Sequence, residues 1–191
     1  MTKPQGKLIV FSGPSGVGKG TVRKEMDKIE PRLDYIMSVS ATTRKKRHDE
    51  ADGREYNFVS REEFEEMIAD GSMLEYTEYN GNYYGTPLGA VLTALEKGKT
   101  IFLEIEVKGA MQTMEKVPEA ITIFLLPPSV DELLRRLKKR ATEDEETLNK
   151  RMKTAEFELE QKAKYKYNIL NDELQKAAQE LYDILAAELV P

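Results

Sequence analysis

The chain has no cysteine, no tryptophan and a single histidine among its 191 residues. Disulfides and thiolate metal sites are therefore impossible. A histidine-based zinc centre or catalytic triad is excluded by number, since His48 stands alone in a polar loop. Positive charge is also short: 29 Lys and Arg against 34 Asp and Glu leave a net charge of −5, which argues against nucleic acid as the main partner. No apolar run reaches the roughly 18–20 residues that cross a bilayer. Met1 to Lys7 lack the apolar stretch of a signal peptide. The expectation is a soluble cytoplasmic protein without a membrane partner. Internal repeats, low-complexity tracts and linkers are missing too. With 40% hydrophobic residues, the length suits one α/β core with small insertions.

What is present is organised around Gly13-Pro14-Ser15-Gly16-Val17-Gly18-Lys19. An apolar stretch, Leu8 to Phe11, precedes it and reads as a buried strand. Helical spacing follows from Lys19 through about residue 29. Strand, glycine-rich loop and helix form the context of a phosphate-binding P-loop. Glycines let backbone N–H groups curl around a phosphate without Cβ clashes. The following helix offers its unpaired N–H groups and the positive end of its dipole. Lys19 adds a mobile charge for the β- and γ-phosphates. The pattern expects Ser or Thr after the lysine, to touch Mg²⁺. Here that position is Gly20, and the hydroxyl comes later, at Thr21. No protein ligand for the metal is therefore assigned.

Further along, Tyr35 to Ser40 reads as a strand, and residues 42–53 as a polar loop with four successive basic residues, Arg44 to Arg47. Ser60-Arg61-Glu62-Glu63 is a capping box, and Gly71 stands where a C-cap glycine belongs. Met73 to Tyr79 alternates, and Asn80-Gly81 signals a hairpin. Residues of about 37–86 thus mix short, antiparallel strands with one helix, the pattern of an inserted subdomain. Thr86-Pro87 reads as an N-cap and first helical residue, with Leu88, Val91, Leu92 and Leu95 as the buried stripe. Thr100 to Val107 and Ile121 to Leu126 read as strands. Ser129 and Thr142 open two further capping boxes, the second starting a helix that runs through about Lys164. Tyr167 to Leu170 reads as a last strand before a C-terminal helix. Strands alternating with helices, the first carrying a P-loop, predict a parallel sheet flanked by helices.

Three groups beyond the loop bear on chemistry. Arg44 and Arg47, with Tyr56 and Tyr84, suit a second phosphate, because guanidinium forks match phosphate oxygens; a basic loop beside packed tyrosines is an equal competitor. Glu104 and Glu106 share one strand face by their period-two spacing. This either marks a half-exposed strand or sets Glu104 near a metal-bound water and Glu106 near a substrate base. The cluster from Arg135 to Arg140, with Lys150 and Arg151, is either a solvated face or a lid folding over phosphates.

Ser38-Val39-Ser40 followed by Thr42-Thr43-Arg44 and Arg47, Gly53, Tyr56 to Val59, Glu75, Gly81-Asn82-Tyr83-Tyr84-Gly85-Thr86 and Asn171-Asp172 together resemble the guanylate kinases. The similarity runs from about residue 7 to 188. It implies a P-loop three-layer fold with a central parallel sheet, an inserted mixed α+β GMP-binding subdomain and a helical lid. The implied limits are a core of 1–36, 97–134 and 153–191, a GMP-binding part of 37–96 and a lid of 135–152. It implies ATP-dependent phosphorylation of GMP, with Mg²⁺ as cofactor, GMP and ATP as partners, and the oligomeric state undecided. Gly13 to Thr21 and Asn171 match the ATP site. Ser40, Arg44, Arg47, Tyr56, Glu75, Tyr84, Thr86 and Glu106 match the GMP site. Lys19, Arg136, Arg140 and Arg151 match catalytic positions. The chain departs from the family in having Glu104 and Glu106 for aspartates, Lys108 for a common glutamine and Lys46 for a loop proline. Two rivals are a kinase-like interaction module that binds phosphorylated partners and a P-loop kinase for another nucleotide. Lys19 with the lid arginines argues against the first, and Glu75 with Ser40 and Thr86 against the second.

Overall fold

The computed structural model describes residues 6–79, 81–140 and 145–189, with the side chains of residues 136–151 outside that description. Strand β1 (Leu8–Ser12) is buried along its whole length, as the apolar run Leu8 to Phe11 flanked by sheet neighbours should be. A five-stranded parallel sheet has the order β2 (Ile36–Met37), β7 (Ile101–Glu104), β1, β8 (Ile121–Leu126), β9 (Tyr167–Leu170). The strands on either side of β1 both come later in the chain. Its C-terminal end is therefore a switch point of the kind where open α/β sheets bind ligands. A second sheet has the order β4 (Asn57–Phe58), β3 (Ala41–Thr42), β6 (Asn82–Pro87), β5 (Met73–Tyr79).

The chain resolves into two compact units. One takes in residues up to Ile9, Tyr35–Leu103 and Lys108–Ala120; the other takes Val10–Asp34, Glu104–Val107 and Ile121 onward. The first unit holds the mixed sheet. Helix α2 (Arg61–Ala69) packs Phe64 into a core with Ala41 and Met73. Phe64 is fully buried and stacks on Tyr83 at 5.1 Å, a burial that stabilises by roughly 1.5–3 kcal/mol. The predicted capping box is formed: Ser60 accepts from the Glu63 N–H, and Glu63 accepts from the Ser60 N–H. Gly71 takes the positive φ that closes the helix. Helices α3 (Leu88–Glu96) and α4 (Val107–Lys116) follow. The second unit holds α1 (Lys19–Met26), α5 (Val130–Arg140), α6 (Glu145–Glu160) with a 3-10 turn at Gln161–Lys164, and α7 (Leu174–Leu189).

Several expectations are corrected. The strand expected over residues 35–40 is limited to Ile36–Met37, and the mixed sheet is not purely antiparallel, since β3 and β4 run parallel. Thr86 is not an N-cap: it belongs to β6, its hydroxyl donates to Glu75 Oε1, and Pro87 is the capping residue. Leu92 is exposed rather than part of the buried stripe of α3. The strand expected through Val107 stops at Glu104 because the chain turns into α4, a helix with no sequence cap that the sequence reading missed. The sidedness of that stretch survives, with Leu103, Ile105 and Val107 buried and Glu106 exposed. The capping box at Thr142 lies outside the described residues.

Candidate functional site: a phosphate loop and a carboxylate cluster

Ser12 ends β1 and Gly13 to Gly18 turn the chain into α1. Gly13, Gly16 and Gly18 all take positive φ values. At Gly13 a Cβ would also come within 2.5 Å of the Leu125 carbonyl oxygen, so both conformation and space require glycine. The α1 N–H groups that face outward at Gly18 have no side-chain cap, which leaves them available to an anion. Lys19 donates from Nζ to the Gly13 carbonyl at 2.8 Å, and its ammonium lies 3.9 Å from Glu106 Oε1. One turn along α1, Arg23 donates from Nε to Glu104 Oε2 at 3.2 Å and pairs with Asp27. Glu104 and Glu106 thus meet two cations four residues apart on one helix face.

Two residues brace the loop from outside. Asn171 donates from Nδ2 to the Val17 carbonyl at 2.8 Å. Glu158 of α6, only 5% exposed, accepts the Ser15 N–H at 3.3 Å. Glu158 was missed in the sequence, where it is one acid in a charged helix with nothing to set it apart. Gly20 stands where the loop pattern places a metal-binding hydroxyl. A Cβ there would lie 3.0 Å from Glu104 Oε1, so the acid occupies ground next to the missing hydroxyl. Among the described residues no group of three or more His, Asp or Glu side chains is arranged to hold a metal ion. One carboxylate beside the loop fits a magnesium ion bound chiefly by phosphates and water.

In the other unit, Glu75 of β5 is 4% exposed and accepts from Thr86 Oγ1 at 2.6 Å. Arg44 follows β3 and makes a two-pronged contact with Glu50, NH1 to Oε2 at 3.0 Å and NH2 to Oε1 at 2.7 Å. Its guanidinium lies 5.4 Å from the centre of the Tyr56 ring, and Tyr56 meets Tyr84 edge-on at 5.9 Å. The structure therefore brings together Arg44, Tyr56 and Tyr84. Arg47 is exposed, and its backbone N–H reaches the same Glu50 at 2.8 Å. Arg44 and the Arg47 N–H hold the Glu50 carboxyl down to about 2. Burial pushes the Tyr56 phenol up. Glu50 carries no sequence signal beyond being an acid three residues after Arg47 in a loop dominated by bases. Ser40 precedes β3, where its carbonyl accepts the Asn57 N–H. The side chains of Arg136, Arg140 and Arg151 lie outside the described residues.

A glycine loop leading from a switch-point strand into a helix, with a lysine on the first turn, defines the P-loop class of nucleotide-binding folds. The profile of the family described as guanylate kinase matches residues 5–188. A guanylate kinase of Lactococcus lactis is 50% identical over 186 residues, covering 97% of this chain and 90% of that protein. One from Streptococcus thermophilus is 53% identical over 185 residues, covering 96% and 88%. The crystal structure of guanylate kinase from Anaplasma phagocytophilum matches with a TM-score of 0.75 at 33% identity, covering 100% of this chain and 90% of that one. The chain belongs to the guanylate kinase family.

Proposed function

We propose that this chain transfers the γ-phosphoryl group of ATP to GMP, and to dGMP, giving ADP and GDP (or dGDP) in purine nucleotide metabolism. The observation that carries the proposal is the buried Glu75–Thr86 pair, in a chain that also has a glycine-shaped phosphate loop with its lysine. A carboxylate is an acceptor only. Guanine offers it two adjacent donors, N1–H and the exocyclic amino group. Adenine presents an acceptor at N1 and has no 2-amino group. A buried polar site of this kind rejects the wrong base by on the order of 10⁴-fold. Ser40, Thr86 and Glu106 are assigned to the same base. Arg44, Arg47, Tyr56 and Tyr84 are assigned to the GMP phosphate. On this reading, Glu50 holds the Arg44 fork in place before substrate arrives, so less order must be imposed on binding.

In the reaction, an oxygen of the GMP phosphate bonds to the γ-phosphorus while the bond from that phosphorus to the β–γ bridging oxygen breaks. The electron pair leaves with ADP. Little covalent work remains for the protein, which aligns two anions and offsets charge spreading over the transferred group. The loop Gly13 to Thr21 receives the ATP phosphates, chiefly through backbone N–H groups at the start of α1, and Asn171 supports it by fixing Val17. Lys19, Arg136, Arg140 and Arg151 supply positive charge. Mg²⁺, when bound, neutralises phosphate oxygens; Glu104 would hold its water. We further assign residues 37–96 to GMP binding, 135–152 to a lid whose closure excludes water, and the remainder to the core. Among the described residues no helix is long and apolar enough to cross a membrane, and we place the protein in the cytoplasm.

The test is ADP production from ATP and Mg²⁺ with GMP, dGMP, AMP, UMP or CMP offered separately. The expected result is high activity with GMP, less with dGMP and background with the others. GMP binding without any turnover would overturn the enzyme reading in favour of a binding module.

A further inference from the structure

We propose that Gly109 is a specificity-determining position: the missing side chain there is what allows Glu75 to hold its carboxylate where guanine is read. The inference rests on the assignment of Glu75 above. Gly109 is the third residue of α4 and is buried. It is not among the glycines with positive φ, so its backbone conformation suits any residue. Glycine inside a helix is less favourable than alanine. Local structure therefore gives no reason for glycine here, and the reason lies in what packs against it. A Cβ at residue 109 would lie 2.2 Å from Glu75 Oε2, 3.0 Å from its Cδ and 3.4 Å from its Cγ. The carboxylate occupies the space of the absent methyl group.

Glu75 has no easy retreat. Its strand is fastened to α4 on both sides of it. Gln112 accepts the Tyr76 N–H at 3.1 Å and donates to the Tyr76 carbonyl at 2.9 Å. Lys116 donates to the Met73 carbonyl at 2.6 Å. The other carboxylate oxygen is held by Thr86. A methyl group at 109 can be accepted only if the carboxylate swings away by about 1 Å, against the Thr86 bond. A displacement of that size in a positioned group costs up to about 10²-fold. Gly109 touches no reacting atom; it is a positioning residue that acts through Glu75.

The test compares Gly109→Ala with Gly89→Ala and Glu75→Gln in the full chain. Gly89 lies in α3, where a Cβ meets nothing within 4 Å. Steady-state constants for ATP, GMP and IMP, which lacks the 2-amino group, are measured with thermal midpoints. Gly109→Ala is expected to raise the KM for GMP by about 10- to 100-fold. The KM for ATP stays constant, and the preference for GMP over IMP shrinks by about tenfold. The thermal midpoint stays within a few degrees, and Gly89→Ala is silent. An unchanged GMP KM and GMP-to-IMP preference in Gly109→Ala, beside their loss in Glu75→Gln, would overturn the role of Gly109 and leave that of Glu75 standing. Intact base preference in Glu75→Gln would overturn the reading of Glu75 itself. Equal losses toward GMP and ATP would mark general damage and also overturn the inference. If Gly109→Ala fails to fold, Glu75→Asp and the double variant with Gly109→Ala decide. The shorter acid makes room, so the double variant should fold and bind GMP close to Glu75→Asp alone. A double variant that binds GMP far more weakly than Glu75→Asp, or does not fold, counts against the proposal.

Discussion

The phosphate loop and the carboxylate cluster are built by opposite means. The loop is one contiguous stretch whose working groups are backbone N–H donors, and glycines at Gly13, Gly16 and Gly18 shape it. Side chains serve it mainly from outside, as Asn171 and Glu158 do. The cluster in the other unit has no contiguous stretch at all. Glu75 comes from one strand, Thr86 from its hairpin partner, and Arg44 and Glu50 from a loop. A site made of backbone tolerates change wherever glycine and the helix start are kept. A site made of side chains depends on every packing contact that aims them.

That contrast can be broken or sharpened by substitution. The largest effect is expected from Lys19→Ala, the one charged side chain of the loop itself. Turnover should fall on the order of 10²–10³-fold while the chain stays folded by circular dichroism; near-normal turnover would break the account of the loop. Glu75→Gln should come next, raising the KM for GMP by roughly 10²-fold or more and sparing that for ATP. Equal effects on both substrates would show that the cluster does not read the base. Ser60→Ala removes a locally encoded cap in the same unit as Glu75 and should lower stability by about 1 kcal/mol. Thermal unfolding should register it, with GMP selectivity unchanged. A change in selectivity would mean that α2 shapes the cluster.

The smallest effect concerns pH. Glu50 is held at about 2 in the folded chain, below its value when unfolded. Its contribution to stability is therefore complete above the ordinary carboxylate range near 4.3 and is lost as pH falls through about 2. NMR titration of the Glu50 carboxyl should show a midpoint near 2. In Arg44→Ala that midpoint should return toward the ordinary range. An unmoved midpoint would place the cause elsewhere, with the Arg47 N–H as the first suspect.

Much of this arrangement was legible beforehand, for identifiable reasons. The strand–loop–helix unit, the capping box at Ser60 and the hairpin of β5 and β6 rest on interactions within a few residues, so spacing reveals them. On the GMP side, residue type alone points to Arg44, Arg47, Tyr56 and Tyr84 as a second phosphate site no more strongly than to a basic loop with packed tyrosines, while Ser40, Glu75 and Thr86 stand out only through the family resemblance. Helix α4 escaped because no Ser, Thr, Asp or Asn stands before Val107 to signal an N-cap, and the alternating stretch Thr100 to Val107 reads as one strand. Thr86 was misplaced because a threonine before proline fits an N-cap equally well; the partner that captures its hydroxyl lies 11 residues earlier.

By itself, then, the order of residues determined the phosphate loop, the Ser60 cap, the β5–β6 hairpin and the exclusion of thiol and histidine-triad chemistry. Each of these follows from local backbone geometry or from counting. Only the tertiary structure decided that Glu50 holds Arg44, that Glu158 braces Ser15 and that Glu75 rests against Gly109. Each of the last two pairs joins residues far apart in the chain, and each of the three depends on side-chain direction. Both are set when the chain packs, because an acid has no preferred partner until folding removes water from around it.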